Sequence, residues 1–315
     1  MTTNSQTSPP SVKICGIDER NHGQRIDNYL MSQLKGVPKS HIYRLLRSGQ
    51  VRVNKGRAKP SYRLQEGDQV RIPPVRRDPE PQSPLIPKAL LNALADSILY
   101  EDDNVLIINK PAGVAVHAGS GIRYGVIEAL KSLRHSSDML ELAHRLDRET
   151  SGCLALVKRR PALIRLHDLF RSEKKVKKCY HALLSGHWTG AERLVEAPLG
   201  KNVLRGGERM VTVTPEGKPA SSLFKPIKRF GNATLVEIQL FTGRTHQIRV
   251  HAAYIGHPVA GDDKYGDPAF NKYIRDLGLK RMFLHANELA FELNGLIKVT
   301  APYDDALHDI LTKLA

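Results

Sequence analysis

Apolar residues recur at helical spacing in five stretches of this 315-residue chain. Over 25–34 they put Ile26, Leu30 and Leu34 on one face, and a second helix is expected over 38–47, opened by Pro38 after Gly36. Three more helices are expected over 125–133, 162–171 and 245–254. Short β-like pieces stand at 51–54 and 68–72, and longer apolar runs at 105–108, 154–157, 180–184, 234–240 and 297–300. Strands that follow one another without an intervening helix favour antiparallel pairing. The expected fold class is α+β, with a mixed, mainly antiparallel sheet, rather than a doubly wound parallel one.

Composition divides the chain further. Residues 1–11, rich in Ser, Thr, Gln and Pro, read as a disordered leader. Residues 12–74 read as a compact basic module with 13 Lys and Arg against 5 Asp and Glu, a net charge of +8 out of +16 for the whole chain. Between Asn28 and Gln65 it has no acidic residue at all. Six prolines between Pro73 and Pro87 mark a semi-extended linker, taken as 75–88, and residues 89–315 form the large domain. A one-sided basic excess points to an anionic polymer as partner. No apolar run approaches the roughly 18 residues of a spanning helix, and 1–11 lacks a signal-peptide core. A soluble, cytoplasmic protein without membrane attachment is therefore expected. Cys15, Cys153 and Cys179 offer neither a disulfide framework nor zinc-ligand spacing, and Cys153 reads as a small buried hydrophobe.

The candidate chemistry centres on His144-Arg145-Leu146-Asp147-Arg148-Glu149-Thr150-Ser151-Gly152. Two guanidiniums flank one carboxylate, and opposite charges nearby favour the charged form of an acid, which is the nucleophilic form. Four other segments stand out: Asn109-Lys110-Pro111-Ala112-Gly113; Lys178-Cys179-Tyr180-His181-Ala182; Thr242-Gly243-Arg244-Thr245-His246-Gln247-Ile248-Arg249-Val250-His251, running on to Gly261-Asp262 and Tyr265-Gly266; and Leu284-His285-Ala286.

These five segments, in this order, resemble the motifs of the RNA pseudouridine synthases that act on ribosomal RNA. The resemblance implies a catalytic domain with a central cleft and assigns roles within it. Asp147 is the implied catalytic residue. Tyr180 would stack on the target base and help remove the C5 proton, and Arg249 would pair with Asp147. Arg145 would fill the space left by a flipped uridine, a role suited to a planar guanidinium. Before the linker, R-I-D-x-Y-L and V-R-V-N-x-x-x-x-K-P-S-Y resemble an S4-type RNA-binding domain, implying RNA contacts by Lys39, Arg44 and Arg47, with Arg52 and Lys55 nearby. The implied partner is 23S ribosomal RNA or a pre-ribosomal large-subunit particle, the implied acting species a monomer, and no cofactor or metal is expected.

Other classes compete with this reading. A metalloenzyme would need the histidines to converge, yet His246 and His251 are five apart and do not share a helix face. A glycosidase needs paired carboxylates, and nothing in the sequence directs Glu149 toward Asp147. An RNA base glycosylase would break the same N1–C1′ bond but release uracil. A noncatalytic RNA-binding assembly factor would account for the charge but not for Asp147, Tyr180 and Arg249 together.

Overall fold

A computed structural model describes residues 11–34, 36–75, 85–119, 122–134, 139–172, 175–205 and 208–315. The leader, except Ser11, and most of the linker lie outside them. The chain divides into two compact units, 1–85 and 86–315.

The first unit runs β1 (Lys13–Gly16), α1 (Ile26–Gln33), α2 (Lys39–Arg47), β2 (Arg52–Val53), β3 (Gly56–Arg57) and β4 (Gln69–Ile72), with sheet order β1-β4-β2-β3. Ile26, Leu30 and Leu34 are all buried, as their spacing requires, and α2 adds Ile42, Leu45 and Leu46 to the same core. Asp27 is also buried, bonded to Arg25 Nη2 at 2.6 Å and to the Tyr43 hydroxyl at 3.0 Å, so it ties α1 to α2. β1 and β3 are additions to the expected elements. β1 lies at a sheet edge with mostly exposed residues and shows no alternation to read. Asn54 and Lys55 turn the β2–β3 hairpin with φ of 48° and 69°, the two left-handed residues that a tight hairpin of this twist demands.

The second unit begins α3 (Lys88–Ala95), β5 (Ile98–Glu101), β6 (Val105–Lys110), α4 (Val126–Arg134), β7 (Glu141–Leu142), β8 (Ser151–Val157), α5 (Arg160–Arg171) and β9 (Val176–Ser185). It continues β10 (Arg193–Glu196), β11 (Leu199–Arg205), β12 (Glu208–Val213), β13 (Ser221–Arg229) and β14 (Ala233–Leu240). It ends α6 (Gln247–Tyr254), α7 (Pro268–Asp276), β15 (Leu284–Glu292), β16 (Leu296–Thr300) and α8 (Asp305–Leu314). Ten strands form one sheet, β10-β13-β14-β9-β15-β8-β6-β5, with β16 on β15 and β7 on β8; every pairing is antiparallel except β15 with β8. β11 and β12 form a separate hairpin.

The strand residues alternate between two cores. Leu106, Ile108, Leu154 and Leu156 face one side, with Leu94 of α3, Leu130 of α4 and Ile248 of α6. Val105, Ile107, Ala155 and Val157 face the other, with Leu163 and Leu166 of α5. Burial on both faces explains why these strands read as continuous apolar runs. Cys153 is buried on the α5 side. The cleft opens on the α6 side, where Leu146 and Tyr180 belong to the core.

Candidate active site

Asp147 lies in the connection that enters β8, held by its neighbours on both sides. Leu146 and Thr150 are buried, and the Thr150 amide donates to the Asp147 carbonyl at 3.2 Å. The Arg148 carbonyl accepts from the Gly113 amide at 2.9 Å and from Lys110 Nζ at 3.0 Å. Lys110 is itself fully buried and also donates to the carbonyls of Pro111 and Val114, at 2.8 and 2.9 Å. Burial pulls Lys110 down to about 7, while three carbonyls receive the three donors of its ammonium. The Asn109–Gly113 segment thus serves to fasten the Asp147 loop. At the loop's far end Gly152 adopts φ of 106° where β8 meets β15, and a Cβ there would lie 2.3 Å from the Ala286 carbonyl oxygen. Only glycine fits that crossing.

The flanking arginines do not surround the carboxylate. Arg148 turns away, donating through Nε to the Gly113 carbonyl at 2.9 Å and pairing with exposed Glu149 at 3.5 Å. Arg145 is exposed at the rim of the cavity that Asp147 lines. The basic side chains that approach Asp147 come from the chain around α6. Arg249 Nη1 is 3.5 Å and His246 Nε2 3.8 Å from Asp147 Oδ2.

Arg249 has a stronger partner. It donates Nε to Asp262 Oδ2 at 2.7 Å and Nη2 to Asp262 Oδ1 at 2.8 Å, and its guanidinium lies over the Tyr265 ring, 5.0 Å from the centroid. Asp262 Oδ1 also accepts the amides of Lys264 and Tyr265. Burial works to raise the Asp262 carboxyl, yet the Arg249 bonds and these amides leave it below the ordinary carboxylate range. Burial works to lower Arg249, and Asp262 then Asp147 raise it on balance.

The rest of the 242–251 segment is scaffolding. Gln247 accepts from Thr242 Oγ1 and the Arg244 amide, and donates to the Ser221 carbonyl and Ser222 Oγ. His251 bonds Ser222 Oγ and the Ala197 carbonyl, both at 3.0 Å, well away from the partners of His246. Among the described residues, no three His, Cys, Asp or Glu side chains converge as metal ligands.

Tyr180, on β9 opposite Ile238 of β14, is buried and lines the same cavity. Burial first, and then the Asp147 charge, push its phenol above the ordinary tyrosine value. The shift runs against the tuning that a phenolate base would need, so Tyr180 presents a neutral phenol. Asp147, Tyr180, Arg249 and Arg145 therefore share one cavity. His246 lines it too, and Asp262 and Tyr265 support it by holding Arg249 and His246; none of these three was given a role from sequence. Their signal was the continuation of the Thr242 segment through Gly261-Asp262 and Tyr265-Gly266.

In the first unit, Lys39, Arg44, Arg47, Arg52 and Lys55 are all exposed. The first three extend from α2, Arg44 and Arg47 opposite its buried Ile42, Leu45 and Leu46 and Lys39 from its first turn. Arg52 is partly committed to its own hairpin, donating to the Gly49 carbonyl at 3.2 Å and the Lys55 carbonyl at 3.4 Å.

Comparison with known proteins agrees with both units. Residues 104–254 match the family described as RNA pseudouridylate synthase, and residues 24–70 match the S4 domain. The chain is 53% identical to ribosomal large subunit pseudouridine synthase C of Escherichia coli, with 98% of each chain covered. It is 50% identical to the protein of that name from Haemophilus ducreyi, covering 99% of this chain and 98% of the other. The solved structure titled Human RNA Pseudouridylate Synthase Domain Containing 4 superposes with a TM-score of 0.60 at 25% identity, covering 72% of this chain and 95% of that one. By these matches, and by an α+β fold with an N-terminal S4 domain, the chain belongs to the RNA pseudouridylate synthase family.

Proposed function

We propose that this protein isomerises uridines of the ribosomal large-subunit RNA, the 23S species, to pseudouridine, with Asp147 as the carboxylate that starts the reaction. The observation that carries the assignment is the convergence of Asp147, Tyr180 and Arg249 on one cavity with Arg145 at its rim. The names of the 53% and 50% identical relatives support the large-subunit target.

The chemistry asks for few groups. The N1–C1′ bond breaks, the base turns, C5 bonds to C1′, and C5 then loses its proton. A carboxylate can begin this by attacking C1′, by removing the C2′ proton, or by adding to C6, and each route uses one ionised acid. Arg249 orients Asp147 and is itself oriented by Asp262. Tyr180 offers its ring to the flipped base, and its neutral phenol hands on the C5 proton only with the help of a water or another group. Arg145 stacks in the gap left in the RNA, offsetting part of the few kcal/mol that flipping costs. Lys39, Arg44 and Arg47 hold phosphates, with Arg52 and Lys55 beside them.

The acting species in this proposal is a monomer, as the likeness to the family implies, and the setting is the cytoplasm, where large-subunit particles assemble. Among the described residues, no helix is long and apolar enough to cross a membrane.

The test is pseudouridine mapping of 23S rRNA, by carbodiimide labelling and primer extension, in cells with and without the gene. Defined stops should vanish with the gene and return with the wild type but not with Asp147→Asn. An unchanged map would overturn the 23S assignment. Release of free uracil from RNA by the purified protein would favour a glycosylase.

A further inference from the structure

His246 occupies the turn into α6 with φ of 54°, a left-handed conformation that is unfavourable for a non-glycine residue. The strained backbone places its imidazole between two partners. Nδ1 lies 2.9 Å from the Tyr265 hydroxyl, with the two rings edge to face, and Nε2 lies 3.8 Å from Asp147 Oδ2.

The second bond of that hydroxyl favours one direction for the proton between His246 and Tyr265. The Val211 amide of β12 donates to the Tyr265 oxygen at 3.0 Å. A phenol has one proton of its own, and among the described residues His246 Nδ1 is the group placed to accept it, the direction assigned to this bond. A neutral imidazole that accepts at Nδ1 carries its proton on Nε2, the nitrogen that faces Asp147. Burial holds His246 below the ordinary histidine range; Arg249 and Lys264 act the same way, and the Asp147 and Asp262 carboxylates act against them. The ring is therefore neutral at pH 7.

Arg249 alone defines Asp147 poorly, because two of its donors are taken by Asp262. Arg249 Nη1 and His246 Nε2 both approach Oδ2. Among the described residues no side chain bonds Oδ1. Long contacts to a catalytic group tighten as substrate binds.

We infer that His246, locked by Tyr265 as the Nε2–H tautomer, is a positioning residue for Asp147: with Arg249 it holds Oδ2 and leaves Oδ1 as the oxygen that meets the ribose or base. This rests on the proposed role of Asp147. It also makes Nε2 a donor, so His246 is not the base that takes the C5 proton.

The test compares His246→Asn, His246→Gln and Tyr265→Phe in the full chain, assayed on 23S rRNA from cells lacking the gene. Asn tolerates the left-handed backbone well, but its amide is too short to reach Asp147. Gln carries an amide nitrogen near the Nε2 position. We expect His246→Asn to lower kcat by about 10- to 100-fold with KM within about twofold, and His246→Gln to recover to within about fivefold of wild type. In protein labelled with 15N-histidine, the resonance absent from His246→Gln should show a protonated Nε2 and a bare Nδ1. Tyr265→Phe should shift it toward a mixture of tautomers.

A kcat within about twofold of wild type for His246→Asn would overturn the inference. So would equal losses for Asn and Gln in variants that melt like wild type, or a protonated Nδ1 in the wild-type spectrum. If the wild type forms no pseudouridine in this RNA, the functional proposal fails instead, and the spectrum still decides the tautomer.

Discussion

Arg249 grips Asp262 through two hydrogen bonds of 2.7 and 2.8 Å and meets Asp147 through a single nitrogen at 3.5 Å. The guanidinium is thus set by a fully buried acid, whose side chain has no exposure, and is offered to the proposed reacting carboxylate by its free edge. Removing one member of a buried ion pair strands the other charge, at a cost of about 3–5 kcal/mol. Asp262→Asn should therefore lower unfolding free energy by roughly that amount in urea titrations, and lower kcat as Arg249 loses its orientation. Wild-type stability in this variant would mean that attraction in the pair only cancels its desolvation.

Asp147→Asn keeps the shape of the side chain and removes its charge. Pseudouridine formation should fall by more than about a thousandfold, since no other carboxylate takes its place. Asp262 is held by Arg249, and Glu149 is exposed beside Arg148. Binding to 23S rRNA, measured by filter retention, should stay within about twofold, because phosphate contacts dominate affinity. Appreciable turnover by the variant would remove Asp147 from the initiating role.

The sequence carried Asp147, Tyr180 and Arg249 in plain view because each sits inside a compact motif. It hid what orients them. Asp262 and Tyr265 reach Arg249 and His246 across a loop of no regular period, so spacing alone could not pair them. The parallel contact between β8 and β15 joins residues more than a hundred apart, and no local pattern announces it. Two elements left out of the sequence expectation had signals of their own. Asp267 before Pro268 and Asp304 before α8 are N-caps whose carboxylates accept from Phe270 and Leu307 amides, at 2.7 and 3.1 Å. The role expected of Arg148 failed for a different reason. Adjacency in sequence does not fix side-chain direction in a turn, and its guanidinium found the Gly113 carbonyl instead.

Gly152 gives a sharper test of the scaffold than any charged residue. Its φ of 106° is unfavourable for any residue with a Cβ, and the added carbon would press on Ala286 backbone atoms at 2.3 to 2.7 Å. Backbone atoms of a paired strand cannot swing aside as a flexible side chain would. Gly152→Ala should destabilise by about 2–4 kcal/mol and lower the melting temperature by several degrees. A melting curve like that of wild type would show that β15 shifts more easily than its pairing suggests.

The exposed cations of α2 predict a salt effect rather than a loss of fold. Arg44 and Arg47 stand opposite the buried face of the helix and Lys39 is exposed in its first turn, so replacing all three by Ala leaves that core intact. If each neutralises a phosphate, the slope of log binding constant against log salt should become shallower by about 2–3. Rates on a short RNA that does not reach the S4 domain should hardly change. An unaltered slope on 23S rRNA would place the RNA on another face of this domain.

His285 ties stability to pH through a buried network that admits one proton arrangement. Arg281 Nη2 donates to Ser151 Oγ at 2.6 Å, Ser151 donates to His285 Nδ1 at 2.8 Å, and His285 Nε2 donates to the Ala301 carbonyl at 3.0 Å. Nδ1 is thereby an acceptor, and protonating it would set two donors against each other beside a guanidinium. Burial pulls His285 down to about 4, and the nearby Arg281 charge acts in the same sense. The sign follows from linkage: an unfolded histidine with a pKa near 6.5 binds its proton before the folded one does. Stability should be fullest above about pH 6.5, fall as pH drops toward 4, and level off below that, losing on the order of 3 kcal/mol from this residue. Urea titrations at intervals from pH 7 to 4 check it, with His285→Gln as the variant that should flatten the slope in that window. An equally steep slope in His285→Gln would assign the acid sensitivity to other groups.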